Sequence, residues 1–278
     1  MYKACLGLLL TAPLFAQDGQ QGSRPGWPCV PGRAADPAYL ETSESSGGQL
    51  FLFQKGEVEH ASLVMSASYT HPSTVLRAVG HLSGSRDFEF PVDSTIESMQ
   101  VMISLQCRNA ILVSRPNGSE MTAANSAVSV DLQAGKILRV DHPEPGNWKI
   151  HLAGTGLYVL SVVAKTPIKL TGMNFFEASA GSPEPENRTK LNEPRLAVRQ
   201  TMEANLAGQL SNAKLQLATA GGDPVSGLES TDSAAEHLLR TVITPSEERF
   251  RVLVSGTDDA GWPVLRTYPN LLRAVRPK

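Results

Sequence analysis

The chain has 278 residues, a formal net charge of -2, 19% charged and 6% aromatic residues, with 23 glycines and 19 prolines. That length suits two domains with cores of their own. The near-neutral mixture of charges excludes a strongly basic surface, so neither nucleic acid nor an anionic membrane is expected as a partner. Short alternating apolar runs between frequent turn formers point to an all-β protein.

In chain order, Lys3, the apolar run Ala4–Leu14 and a cleavage point between Ala16 and Gln17 read as a signal peptide over residues 1–16, with the bulky Leu14 a departure from the usual small residue. The alternative is a buried N-terminal helix. A mature protein that is secreted or periplasmic is expected, and no other stretch approaches the ~20 apolar residues of a membrane span. Residues 17–37, polar and broken by Gly and Pro, read as a flexible linker that carries Trp27 and Cys29.

From Ala38 to Glu44 a short helical turn is expected, followed by a break at Ser45–Gly48 and a strand at Gln49–Phe53. Glu57–Tyr69 then reads as one amphipathic helix whose inner face is Val58, Ala61 and Met65. One strand and two short helices cannot bury a core. Residues 38–70 must therefore dock on the rest of the chain, serve as a contact for another one, or stay loosely ordered.

A first β-sandwich is expected over residues 71–166. Asp87–Val92, Glu97–Cys107 and Asn109–Ser114 read as strands, the last closed by the hairpin signal Arg115-Pro116-Asn117-Gly118. Cys107 continues the Met99, Val101, Ile103, Leu105 face and reads as a small buried hydrophobe, with a disulfide to Cys29 as the alternative. The clearest stretch is Ile137–Ala164. Ile137–Val140 is a short apolar strand, and His142-Pro143-Glu144-Pro145-Gly146-Asn147 is a turn. Trp148, Ile150 and Leu152 alternate with Lys149 and His151, Gly154-Thr155-Gly156 reads as a second tight turn, and Leu157–Ala164 is apolar on both faces. Trp148 should be buried.

Residues 167–278 read as a second, immunoglobulin-like or jelly-roll-like sandwich. Strands are expected at Ile168–Phe176, Arg195–Thr201, Leu215–Thr219, His237–Ile243, Arg249–Ser255 and Val264–Tyr268, with a polar loop at Ser182–Arg188. Phe250, Val252 and Val254 should face in, Arg249 and Arg251 out. The modules should meet near Lys165–Leu170.

The segment around Ser46-Gly47-Gly48-Gln49, the Pro143–Trp148 turn and the run Phe250–Arg266 resemble hemicentins and related extracellular proteins, from Tyr39 to about Ala274. The resemblance begins at the last strand and helix of a von Willebrand factor A domain and continues into the β-domains after it. The Pro143–Trp148 turn also resembles turns of bacterial pre-peptidase and other secreted sandwich modules. A complete A domain holds a metal through Asp-x-Ser-x-Ser, which is absent here, so that metal site is carried over to no residue.

No G-x-S-x-G, H-E-x-x-H, phosphate loop or C-x-x-C occurs. No enzyme and no cofactor are therefore expected. His151 falls on the polar side of its strand. Asp258 and Asp259 are weak calcium candidates, since two adjacent carboxylates are fewer than such a site needs and aspartates also suit turns. The leading expectation is a non-catalytic binding or adhesion protein whose partner is another protein or an extracellular polymer. A carbohydrate-binding module is the second, with Trp27, Trp262 and Tyr268 as the aromatic platforms, and a secreted hydrolase with a deep polar pocket the third.

Overall fold

The computed structural model describes residues 36–53, 55–69, 72–178, 189–235 and 237–277. The expected signal, nearly all of the expected linker with Trp27 and Cys29, and the loop Ser182–Arg188 lie outside the described residues.

The first module is one antiparallel sheet in the order β1-β5-β2-β4-β3, made of β1 (Ser73–Val92), β2 (Ser98–Ser114), β3 (Val128–Leu132), β4 (Gly135–Asp141) and β5 (Gly146–Lys165). β1 and β5 pair over almost their whole lengths. The two turnless joins are corrections to the sequence reading, because Gly154-Thr155-Gly156 stays inside β5 and the two strands expected at 97–107 and 109–114 are one.

The glycines bend the sheet instead of reversing the chain. Tyr158 pairs with Gly80, and Phe88 lies eight residues further along β1, about 26 Å away on a straight strand. Yet the Phe88 and Tyr158 rings are 5.7 Å apart. The sheet therefore folds over at the Gly84–Gly154 pair, and its two halves become the two layers of a sandwich. Gly154 has φ 150°, and a Cβ there would overlap the Cys107 carbonyl. Between the layers lie Phe90, Val101, Ile103, Trp148, Ile150 and Leu160, all buried. Trp148 is among them as expected, its indole N–H donating to the Glu144 carbonyl at 2.9 Å.

Register shifts along β2 and β5 at Leu105/Cys107 and Arg108/Ala110 interrupt the alternation. Cys107 is therefore half-buried and does not follow Leu105 inward. It is disulfide-bonded.

The N-terminal segment covers the outer face of this sheet. Asp36 caps α1 (Pro37–Ser46) by accepting from the Ala38 N–H at 2.9 Å, Pro37 sits where no N–H is needed, and Gly47 ends the helix in the left-handed region. Residues 48–53 are extended but join no ladder, unlike the expected strand, because they cross a sheet face rather than an edge. Leu50 and Leu52 pack with Leu40 on Val79, Leu157 and Val159; Phe51 and Phe53 pack on Met102, Ile137 and Val163. The Leu52 N–H donates to Ser104 Oγ at 2.9 Å. The expected long helix is a 3-10 turn (Lys55–His60) followed by α2 (Ala61–Tyr69). Three residues per turn advance side chains by about 120° each instead of about 100°, so the helical phase read from Glu57 onward is lost. Val58 and Met65 are 58% and 53% exposed, and Leu63 and Val64 face the sheet in their place.

The second module is a two-sheet sandwich. One sheet runs β11 (Leu228–Ala235), β12 (Leu238–Ile243), β8 (Gln200–Ala207), β6 (Lys169–Glu177), β7 (Lys190–Leu191). The other runs β10 (Pro224–Val225), β9 (Ser211–Ala218), β13 (Arg249–Thr257), β14 (Pro263–Thr267), with β15 (Leu272–Arg273) also on β13. Met202, Leu217, Ile243, Phe250, Val252 and Val254 fill the space between them.

Buried ion pairs join the parts. Arg251, expected to face water, is 1% exposed because α1 covers that face of β13. The Glu44 carboxylate lies between two guanidiniums, accepting from Arg77 Nε at 2.8 Å and from Arg251. Burial pulls Arg251 down to about 10, with Glu44 opposing, so it stays charged at neutral pH. A second fully buried pair, Arg266 and Asp93 at 2.8 Å, sits where the modules meet; Arg266 also donates to the Ile168 carbonyl and to Thr166 Oγ1. The contact reaches beyond the expected 165–170 hinge: Thr267 donates to the Val75 carbonyl and the Val79 N–H to the Ala220 carbonyl, which closes the upper edge of β1.

Candidate ligand-binding cleft

The strand registers of the second module bring several connections to one end. Lys169 pairs with Ala207, Leu238 with Asn205, and Ser211 with Thr257. The 166–168 linker, the 208–210 crossover between sheets, the β11–β12 turn and the 258–262 turn therefore share that end. Loops gathered at one end of a rigid sandwich are where binding residues concentrate.

A cleft of about 530 Å³ opens there, lined by residues that include Leu206, Gln209, Ser211, Asn212, His237 and Asp259. Its shape is set locally. Gly208 packs so tightly on Ile168 and Pro167 that a Cβ would stand 3.0 Å from backbone atoms. Asn212 (φ 53°) and His237 (φ 64°) hold left-handed conformations that side chains other than glycine adopt at a cost. The Leu206 N–H donates to the His237 carbonyl at 2.8 Å, pinning the turn to β8. Among the described residues, Gln209, Asn212 and Asp259 direct no side-chain hydrogen bond or ion pair to the rest of the chain.

The neighbouring Asp258 has a different role. Its Oδ1 accepts from the Ala260 and Trp262 N–H groups at 3.0 and 2.7 Å, and its Oδ2 from the Ser94 N–H and hydroxyl at 2.9 and 2.6 Å. Burial would raise its pKa, but the hydrogen bonds from Ser94, Trp262 and Ala260 outweigh it and hold the carboxyl below its usual value. With every lone-pair site taken, Asp258 has none for a calcium ion, so its candidacy as a ligand beside Asp259 is corrected to that of a clasp between the modules. Among the described residues no group of three or more His, Cys, Asp or Glu is placed to hold a metal.

The aromatic candidates separate. Trp262 is 41% exposed and stands on the same turn as Asp259. Tyr268 follows the other end of β14, about 20 Å away by strand length, and is half-buried against the core, which raises its hydroxyl pKa. They do not form one platform. Trp27 lies outside the described residues. On the first module His151 lies on the outer face against Asp87 at 2.6 Å; the Lys149 ammonium at 2.8 Å, then His151, hold Asp87 below its usual value.

Sequence reasoning missed Gln209, Asn212 and His237. It placed His237 inside a strand and did not see β11, whose run Leu-Glu-Ser-Thr-Asp-Ser-Ala-Ala has almost no β-branched or aromatic residues, so the hairpin turn that presents His237 carried no signal.

The fold is that of an all-β protein built from sandwich modules. Residues 73–167 match the family model described as hemicentin galactose-binding domain-like, which identifies the first module as a hemicentin-like β-sandwich. The match does not reach the α1–α2 segment, and a von Willebrand factor A domain is not shown by it. No curated protein matches the chain in sequence. Among solved structures, the crystal structure of Bacillus licheniformis lipase BlEst2 in its propeptide form is similar over 69% of this chain and 43% of that one, at 13% identity and a TM-score of 0.28. The chain spans less than half of that protein, and a likeness at this level carries no argument. No helix among the described residues is long and apolar enough to cross a membrane.

Proposed function

We propose that the chain is a non-catalytic, exported binding protein of the adhesion type, which presents the loop end of its second sandwich to a protein or extracellular polymer. The observation that carries this is the cleft of about 530 Å³, in which the side chains of Gln209, Asn212 and Asp259 direct no hydrogen bond or ion pair to the described residues. The galactose-binding-like match of the first module supports a binding role in general terms. The buried Glu44 and Asp93 ion pairs support it too, since they fix the segment from α1 and both modules as one scaffold, and a rigid scaffold loses little entropy on association. The resemblance of residues 38–70 to the end of a von Willebrand factor A domain is read as ancestry: a non-ladder stretch and short helices that now serve as a covering layer.

The test is a pull-down of native-host proteins and glycans on the immobilised mature chain, with a variant carrying Asn212→Ala and Asp259→Ala as control. Capture by the wild type and loss in the variant are expected. Hydrolysis of ester, peptide or glycoside substrates by the purified chain, abolished by His237→Ala, would overturn the non-catalytic reading in favour of a hydrolase.

A further inference from the structure

We infer that the cleft takes a neutral glycan, hydrogen-bonded by Gln209, Asn212 and Asp259 and stacked on Trp262; this rests on the binding-protein reading above. Charge is the first reason. The described lining contains Asp259 and His237 and neither lysine nor arginine, so a phosphate, sulfate or carboxylate ligand would meet a carboxylate with no permanent cation beside it.

Hydrogen-bond chemistry is the second. The Gln209 and Asn212 amides and the Ser211 hydroxyl each donate and accept within one side chain, and the Asp259 carboxylate accepts. A sugar hydroxyl also donates and accepts, so it can engage both kinds of group, whereas an anionic ligand only accepts. That Gln209, Asn212 and Asp259 have no partner among the described residues leaves these functions available.

Apolar surface is the third. Leu206, Leu210 and Leu238 line the same cleft, giving the C–H face of a sugar ring somewhere to lie. Trp262 adds an exposed indole on the turn that supplies Asp259. Its position is fixed by its backbone N–H on Asp258, so the ring is presented from a held main chain. The volume falls in the range of roughly 300–1,000 Å³ that small-molecule sites occupy, enough for a short oligosaccharide.

The full mature chain would be screened on an array of neutral oligosaccharides of gluco, galacto, manno and xylo configuration, and the best of them titrated by calorimetry. Saturable binding is expected, with Trp262→Ala weakening it about tenfold, the scale of one aromatic stacking contact. Asp259→Asn is expected to weaken it as well, and neither variant should move the thermal midpoint. Hydrogen exchange should slow at 208–213, 237–239 and 258–262 when the glycan is added. Protection confined to residues 73–167, with Trp262→Ala without effect, would overturn the cleft while leaving a glycan-binding protein. Binding of no neutral glycan, with capture of a protein that Asp259→Asn releases, would overturn the ligand class and leave the binding reading standing. Failure of both captures would sink both.

Discussion

Replacing Glu44 by alanine is the sharpest test of how the molecule is held together. The Glu44 side chain is 6% exposed and those of Arg77 and Arg251 1% each, so the three charges have left water almost completely. Without the carboxylate, Arg77 still donates to the carbonyls of Ser43, Gly47 and Gly48 at 3.1, 3.2 and 2.7 Å. Among the described residues Arg251 keeps only the Pro269 carbonyl at 3.3 Å, and its Nε already lacks a partner there. The cost therefore falls mainly on Arg251, a guanidinium buried with almost no compensation. Removing one partner of a buried pair costs about 3–5 kcal/mol, and Glu44→Ala should lose that much in urea unfolding of the full chain. Glu44→Gln keeps one oxygen and should lose about half. Adding Arg251→Met to Glu44→Ala should recover part of the loss by removing the stranded charge, giving a clearly non-additive double-mutant cycle. A Glu44→Ala protein within about 0.5 kcal/mol of wild type, the range of ordinary surface changes, would refute the account of α1 as a buried clamp.

Trp148→Ala should destabilise the chain by about 3–5 kcal/mol, measured by urea unfolding, because the indole is 1% exposed and loses both packing and its bond to Glu144. Gly154→Ala should cost more than the ~1 kcal/mol of an ordinary glycine replacement, since φ is 150° and the new Cβ overlaps the Cys107 carbonyl; an unchanged melting curve would contradict the bend. Asp258 has a lowered pKa in the folded chain, so its contribution is complete above the ordinary value of 3.8 and disappears as pH falls through the folded value. Asp258→Asn should flatten that acid limb, and an identical pH profile would count against the clasp. Non-reducing peptide mapping should recover Cys107 in a disulfide-linked peptide, with reduction costing roughly 2–4 kcal/mol; recovery of Cys107 as a free thiol would contradict this.

Strand identity was legible wherever alternation ran beside β-branched or aromatic residues, as in Trp148–Leu152 and Phe250–Val254. What failed was the long-range consequence of two glycines. Gly154 and Gly156 carry the local chemistry of a turn, and only the pairing with Gly84 in β1 and the bulges against β2 make them a bend within a strand. The exposed phase of Val58 and Met65 failed for a local reason, a 3-10 turn ahead of α2. Arg251 failed because alternation reports which face is opposite, not whether that face is wet. The covering element lies more than two hundred positions earlier in the chain, where Glu44 reads as an ordinary charge on a short helix.

The segment that resembles the end of an A domain was expected to dock on the rest of the chain or to serve as a contact for another one, and its extended stretch docks on the first sandwich. Leu50 and Leu52 use one side of the extended stretch and Phe51 and Phe53 the other, so both sides of its alternation are spent on the sheet below. Glu41 then pairs with Arg249 at 3.0 Å, and the Leu271 N–H and Asn270 amide donate to the carbonyls of Glu44 and Ser45 at 2.7 and 2.8 Å. The same element that covers the first sandwich thus grips the second. Deleting residues 38–70 would expose Met102, Ile137 and Val163 and strand two arginines, so loss of the segment is a loss of fold before it is a loss of recognition. The recognition proposed above is left to the surface that the scaffold does not consume. At the loop end Asp258 ties the turn bearing Asp259 and Trp262 to Ser94 of the first module, and there the side chains of Gln209, Asn212 and Asp259 direct no hydrogen bond or ion pair to the described residues.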